Sequence, residues 1–434
     1  MKQLVLSALL CAGLAAAAQP APLYFPPLTG STWETVPPAS LGWDETALDS
    51  LYQFLDRKHT KAFLVLQDGR IVVERYFDSF TRDSIWYWAS AGKTVTAFLT
   101  GMAQEEGLLA LSDTTASYLG TGWTAAPPAK EEKITVWHQL TMTSGLKDAV
   151  PDPYCTLAPC LEYLADAGTR WAYHNAPYTL LDSVIQAASG LSLNQFYQTR
   201  LRNRIGMNGL FLQSGYNNIL FSNARSMARF GLLMLGGGAW AGTPVMTDTA
   251  YYRQMITPSQ AINKSYGYLW WLNGQESFML PQVQFVFPGS YAPAAPPDMY
   301  AGLGKNGQIL NVVPSMRLVL VRMGNPPGDG GEVTPIFNND IWTYLNQAMA
   351  AATAAEPDAG PQPGFHPNPA GQLLHITPPV PGMPFSLELL DMQGRLLRQF
   401  ESPDEADLTD LPAGLYLAVL RQDGRQWIRR IARR

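Results

Sequence analysis

Residues 86–102 read Trp-Tyr-Trp-Ala-Ser-Ala-Gly-Lys-Thr-Val-Thr-Ala-Phe-Leu-Thr-Gly-Met, and within them Ser90-Ala-Gly-Lys93 sets a hydroxyl and an amine three residues apart. From Val95 the apolar residues fall at Phe98, Leu99 and Met102, the spacing of a helix. Ser90 is thereby expected at the helix start and Lys93 one turn further on, where side chains three apart are neighbours. A serine hydroxyl is a poor nucleophile until a base takes its proton, and an amine does so only when its pKa is drawn toward neutrality. A pocket wall of Trp86, Tyr87 and Trp88 and the positive end of the helix dipole are expected to draw Lys93 that way. The same helix start offers a free backbone N–H at Ser90 for an oxyanion.

Two other readings of this stretch fail on sterics. Gly92-Lys93-Thr94 resembles the end of a phosphate-binding loop, but that motif needs glycine where Tyr87 stands. An esterase nucleophile elbow needs a small residue where Trp88 stands. A decoy with the same spacing, Ser144-Gly-Leu-Lys147, follows a helix-like segment and precedes Asp148-Ala-Val-Pro151, so it reads as a helix exit.

The first 18 residues have the charged start, apolar middle and small-residue end of a secretory signal peptide, with cleavage expected after Ala18. The apolar run is too short to span a membrane, and no later stretch reads as a transmembrane helix. Cys155 and Cys160 then remain, and in an exported chain the pair reads as a small disulfide. A metal is disfavoured because none of the five histidines clusters with them, and no cofactor is implied. A net charge of −5 and no basic stripe in the first 350 residues argue against nucleic acid as a partner.

Strand-like runs flank a mainly helical middle between residues 39 and 350. Ala62 to Tyr76 reads as a hairpin turning at Asp68-Gly69, and Gln308 to Pro314 and Leu318 to Met323 as a second strand pair. The alanine, proline and glycine of residues 351–364 make a linker. Residues 365–434 carry short strand-like runs separated by turn signals, as in a small all-β sandwich. Tyr266, Tyr268, Trp270 and Trp271 read as core or pocket lining, and Phe278 to Tyr300 as a pocket wall.

Gly168 to Tyr178 precedes a helix whose apolar face includes Leu181, Val184 and Ile185, and Asn175 alone would be an N-cap with Pro177 early in the helix. The order Ser90-x-x-Lys93 and then Tyr173-x-Asn175, 83 residues on, resembles the serine β-lactamase and penicillin-binding-protein superfamily in its class C-like esterase branch. Ile134 to Leu146 is similar to that family's region around His-Thr-Ser-Gly-Leu, which makes the decoy serine structural. The third family element is a short triplet on the strand beside the nucleophile. Two registers compete for it, Gly302-Leu303-Gly304 and Lys305-Asn306-Gly307, and strand periodicity favours the first.

The resemblance implies an α/β fold, an antiparallel sheet flanked by a helical domain. It implies that Ser90 attacks an ester or amide carbonyl, with Lys93 as base and Tyr173 relaying protons. Asn175 would orient substrate or lysine, Gly302, Leu303, Gly304 and Lys305 would contact substrate, and the Lys305 N–H would complete the oxyanion hole. His174 reads as a bystander. With Gly302 where relatives keep a Lys or His for the substrate carboxylate, efficient action on penicillins is not expected. The rival readings are a DD-peptidase or penicillin-binding enzyme on cell-wall peptides, and a catalytically silent surface receptor or adhesin.

Residues 365–434 resemble the C-terminal sorting domain of the type IX secretion system of Bacteroidetes, through Phe365-His-Pro-Asn-Pro-Ala, the turn Asp391-Met-Gln-Gly-Arg395, Leu411-Pro-Ala-Gly-Leu-Tyr-Leu417 and the basic end from Arg429 to Arg434. An adhesive or carbohydrate-binding module is the alternative. The resemblance makes the secretion machinery a partner and the protein secreted or displayed at the cell surface after crossing the periplasm.

Overall fold

The computed structural model describes residues 22–328, 333, 335–350, 363–367, 372–391, 395–423 and 425–433. The expected signal peptide, residues 351–362 of the expected linker, and residues 368–370 and 392–394 of the sorting signals lie outside these. The chain divides into two compact units, Met1–Ala351 and Ala352–Arg434.

In the first unit α1 (Glu45–Arg57) leads to the hairpin β1 (Thr60–Gln67) and β2 (Arg70–Tyr76). Asp68 and Gly69 turn it with positive φ at both positions, which suits the twist of a two-residue loop. A Cβ at 69 would also fall 1.9 Å from the Tyr24 carbonyl oxygen, so glycine is needed there for space as well. The chain continues through β3 (Trp86–Tyr87), α2 (Lys93–Glu105), α3 (Val136–Leu140), α4 (Asn175–Ser189) and α5 (Leu193–Arg200). Then follow β4 (Leu210–Ser214), β5 (Asn217–Ser222), α6 (Ala224–Leu235), β6 (Trp271–Leu272), β7 (Tyr300–Gly304), β8 (Gln308–Val313), β9 (Leu318–Gly324) and α7 (Pro335–Ala350).

Six strands form one antiparallel sheet in the order β2-β1-β9-β8-β7-β6. Successive side chains of a strand point to opposite faces. On β8, Leu310 lies against Gly231 of α6, whereas Asn311 donates through Nδ2 to Asn338 Oδ1 of α7 at 2.7 Å. Helices therefore cover both faces, and β8 and β9 are buried along their whole length.

At the β7 edge, β6 pairs with Tyr300 and Ala301 alone. Beyond them Gly302 to Gly304 meet a 3-10 turn, Ala89–Gly92, that opens α2. Every residue of α2 from Lys93 to Ala103 is buried, so the helix is central rather than amphipathic. The helical side of the unit packs on it through α4.

The second unit has strands β10 (Gly364–Pro367), β11 (Leu373–Thr377), β12 (Ser386–Leu390), β13 (Leu396–Glu401), β14 (Glu405–Asp407), β15 (Gly414–Gln422) and β16 (Arg425–Arg433). They form two sheets, β10-β11-β14 and β13-β12-β15-β16, around one apolar core that includes Leu374, Leu387, Leu389, Ala406 and Leu420. Alternate burial along β12 gives each strand one inner and one outer face.

Candidate active site

Ser90 stands in the 3-10 turn rather than in the α-helix itself, and Lys93 is the first residue of α2. The turn is held from two sides. On one, Trp88 donates its N–H to Leu220 O at 2.8 Å and its indole N–H to Ser222 Oγ at 2.7 Å, both on β5. On the other is the open edge of β7. A Cβ on Gly304 would lie 2.6 Å from Trp88 O, 2.9 Å from Ala91 N and 3.1 Å from Ser90 N. The backbone of Gly304 is extended (φ −126°, ψ 157°), so glycine is required for close approach and not for conformation. Ala89, just before the serine, has φ +47°, a left-handed conformation that costs a residue with a Cβ about 1 kcal/mol. The Ser90 N–H has no acceptor among the described residues.

Lys93 is 2 % exposed, and its Nζ donates to Ser90 Oγ at 2.7 Å and to Asn175 Oδ1 at 2.9 Å. It also lies 3.9 Å from the centre of the Tyr178 ring and 5.0 Å from that of Tyr173. Burial favours the neutral amine, whereas the two aromatic faces and the amide oxygen favour the ammonium. Asn175 does not cap its helix: it is the first residue of α4, His174 occupies the cap position without a side-chain bond, and the Asn175 amide is turned to the lysine. The local rule that makes asparagine a capping residue loses here to a tertiary partner.

Tyr173 is 4 % exposed and packs on Trp271 and Tyr266, so the aromatic run 266–271 forms a buried floor behind it. Neither ring nitrogen of His174 has a hydrogen-bond partner among the described residues. Burial lowers its pKa from 6.5 to about 4, with Asp148 opposing and Arg170 assisting, so the ring is neutral at pH 7.

In front of Ser90 lies a cleft of about 280 Å³ whose lining brings together Ser90, Lys93, Asn175 and Lys305. Tyr173 is not part of that lining. Tyr87 lines it too, but Trp88 is fully buried in the core, so the expected wall of three aromatics reduces to Tyr87 on this side. The segment from Phe278 to Tyr300, expected as a pocket wall, contributes no residue to that lining; its Gln284 Nε2 donates to Trp171 O at 3.1 Å, behind Tyr173. Ser277 and Phe278 pair with Phe287 and Pro288 across the loop 279–286, and Asn273 Nδ2 lies within hydrogen-bond distance of the carbonyls of Ala292, Ala295 and Pro296, its two protons shared among them.

The wall is instead supplied by Tyr154, Tyr178, Asn217, Asn218 and Ile219. Tyr178 sits one turn beyond Asn175, and that helical spacing was the available signal; for β5 there was none. Gly302-Leu303-Gly304 are on the strand beside Ser90, whereas Lys305, Asn306 and Gly307 form the turn after it. Asn306 is turned away, donating Nδ2 to Tyr87 Oη at 2.7 Å. Ser144 is buried outside the cleft, and Lys147 pairs with Glu162 at 2.9 Å. Cys155 and Cys160 are joined in a disulfide next to Tyr154. No cluster of His, Cys, Asp and Glu suited to a metal ion occurs among the described residues.

A family model described as beta-lactamase matches residues 53–335, and one described as a secretion system C-terminal sorting domain matches residues 365–433. A beta-lactamase of Escherichia coli (strain K12) is 30 % identical over 135 residues, 30 % of this chain, and the chain spans 35 % of that relative's length. Solved structures similar in fold include a family VIII carboxylesterase (TM-score 0.52, 15 % identity, covering 74 % of this chain and 99 % of that one). A penicillin-binding protein homologue from Caulobacter crescentus is another (TM-score 0.51, 14 % identity, 70 % and 97 %).

Proposed function

Because the chain belongs to the beta-lactamase family, we propose that it is a serine hydrolase that cleaves ester or amide bonds through an acyl-enzyme on Ser90. The observation that carries this reading is the 2.7 Å contact of Lys93 Nζ with Ser90 Oγ in a buried site open to a cleft. Lys93 takes the serine proton as Oγ adds to the substrate carbonyl. The N–H groups of Ser90 and Lys305 receive the oxyanion. Tyr173, behind the cleft lining with its ring centre 5.0 Å from Lys93 Nζ, is assigned the passing of a proton to the leaving group and later a part in activating the water that releases the acyl group. Asn175 holds the lysine in place.

The C-terminal sorting domain directs the protein to export, in the medium or at the cell surface. Residues 1–18 act as the signal peptide that brings it across the inner membrane. Gly302 leaves the first position of the triplet without a cation, so efficient action on penicillins is not expected.

Fluorophosphonate labelling and turnover of short acyl esters test the reading. The parent is labelled and turns over, whereas Ser90→Ala is unlabelled and loses about 10³-fold or more in turnover. Equal labelling of the two proteins would overturn it.

A further inference from the structure

Asn175, Thr179 and Asp182 stand at i, i+4 and i+7 of α4 and share one face. The first accepts from Lys93, and the second donates its Oγ1 proton to the Asn175 carbonyl oxygen at 2.9 Å, with Asn217 Oδ1 3.3 Å away. The third accepts from Thr96 Oγ1 on α2 at 3.2 Å and from Asn218 Nδ2 on β5 at 3.1 Å. Asn217 and Asn218 line the cleft. One helix face thus holds the lysine and the opposing wall of the site together, and Asp182 is its only acid.

Asp182 is 2 % exposed and accepts from neutral donors alone among the bonds above. The charged group acting on it is Lys93 on α2. The other titratable group facing it is Tyr178 on α4, neutral because burial raises its pKa far above 10. From α3, α5, β5 and the one-turn helix Ala116–Leu119 no further charge acts on it among the described residues. The cleft lining itself contains Lys93 and Lys305 and no acid.

We propose that Asp182 is a positioning residue of the Ser90–Lys93 pair, the buried counter-charge for the ammonium formed when Ser90 gives its proton to Lys93, and the anchor of Asn218 on the cleft wall. This rests on the serine-hydrolase reading above. In the step concerned the Ser90 O–H bond breaks, the proton goes to Lys93 Nζ, and Asp182 gains and loses nothing. A buried ammonium without an anion nearby is costly, and Lys93 and the Asp182 carboxylate favour one another's charged forms across the contact of α2 with α4. Desolvation raises the Asp182 carboxyl to about 7, against the lowering effects of Asn218, Thr96 and Lys93. Its ionisation is therefore coupled to the charge on Lys93 at neutral pH.

The test is the pH dependence of fluorophosphonate labelling at Ser90 in the full chain. Asp182→Asn keeps the shape and removes the charge. Its maximal labelling rate falls by about tenfold, the equivalent of one pKa unit of interaction. Its acid limb, which in the parent reflects the coupled titration of Asp182 and Lys93, moves to lower pH, because Lys93 loses the anion that Asp182 supplies above about pH 7. Thr96→Val, which leaves the acid but strips a donor from it, lowers the rate by less, and Asp182→Glu restores part of the limb. An acid limb that stays with the parent's in Asp182→Asn overturns the proposal, whatever happens to the melting midpoint. Ser90→Ala run in parallel separates the two ideas: if it is unlabelled while the limb stays put, the hydrolase stands and the role of Asp182 falls, and if it is labelled both fall.

Discussion

At the scale of single residues, Lys93 is buried with its Nζ on Ser90 Oγ, Asn175 Oδ1 and two aromatic faces, and the proposed mechanism assigns it the role of base. Lys93→Met removes the base while filling the same space, so labelling of Ser90 slows by about 10²–10⁴-fold, the usual worth of a general base. Lys93→Arg does no better, because a guanidinium does not give up its proton. A melting curve close to the parent's confirms that chemistry and not folding was lost. His174 calls for the opposite outcome. Its pKa is about 4 in the folded protein and near 6.5 in the unfolded chain, so between those values the unfolded chain binds a proton that the native protein does not. Stability therefore falls as pH drops from about 6.5 toward 4, by roughly 3 kcal/mol in all. His174→Leu removes that slope and leaves ester turnover intact, which urea denaturation at neutral and acid pH checks.

At the scale of elements, the site is a junction of four: the 3-10 turn of Ser90, the start of α2, the first turn of α4 and the open edge of β7. Gly304 is where the last of these touches the first. Gly304→Ala puts a methyl group against Trp88 O and Ser90 N, forces the strand away, and costs about 1–3 kcal/mol of stability as an overpacked contact. Turnover falls as well, since the two proposed oxyanion donors, the Ser90 N–H in the 3-10 turn and the Lys305 N–H in the turn after β7, are drawn apart. Gly302→Ala, whose nearest contacts are 3.1 Å and 3.2 Å to Thr94 Cγ2 and Ala91 O, is milder on both counts. The disulfide is a local device: closing so short a loop is worth roughly 2 kcal/mol on loop entropy. Cys155→Ser with Cys160→Ser loosens Tyr154, so KM for esters rises while kcat holds. Helix α2 and the hairpin β1–β2 were legible as elements because their signals are local, a 3.6-residue period and an Asp-Gly turn. The cleft wall from β5 was not, because Asn217 and Asn218 are ordinary strand and turn residues until α4 packs beside them.

At the scale of the whole molecule, each unit has its own apolar core, around the six-stranded sheet in one and between two smaller sheets in the other. A chain ending at Ala351 keeps ester turnover and a cooperative melting transition, and it loses delivery to the cell surface or medium, which fractionation of the producing cells measures. Loss of turnover on that truncation would mean that the second unit does more than address the protein. What the sequence by itself determined was the inventory: a serine with a lysine three residues on, a tyrosine and an asparagine 83 and 85 residues beyond the serine, a glycine triplet, two cysteines and a C-terminal address. Those are matters of spacing along the chain, and spacing survives without coordinates. Only the tertiary structure decided that Asn175 serves the lysine instead of capping its helix, that Gly302-Leu303-Gly304 is on the strand and Lys305 in the turn, that Phe278 to Tyr300 adds no residue to the cleft lining, and that Asp182 stands behind the pair. Each of those turns on which distant element arrives beside a residue, and burial by a neighbour a hundred residues away leaves no mark on the local pattern.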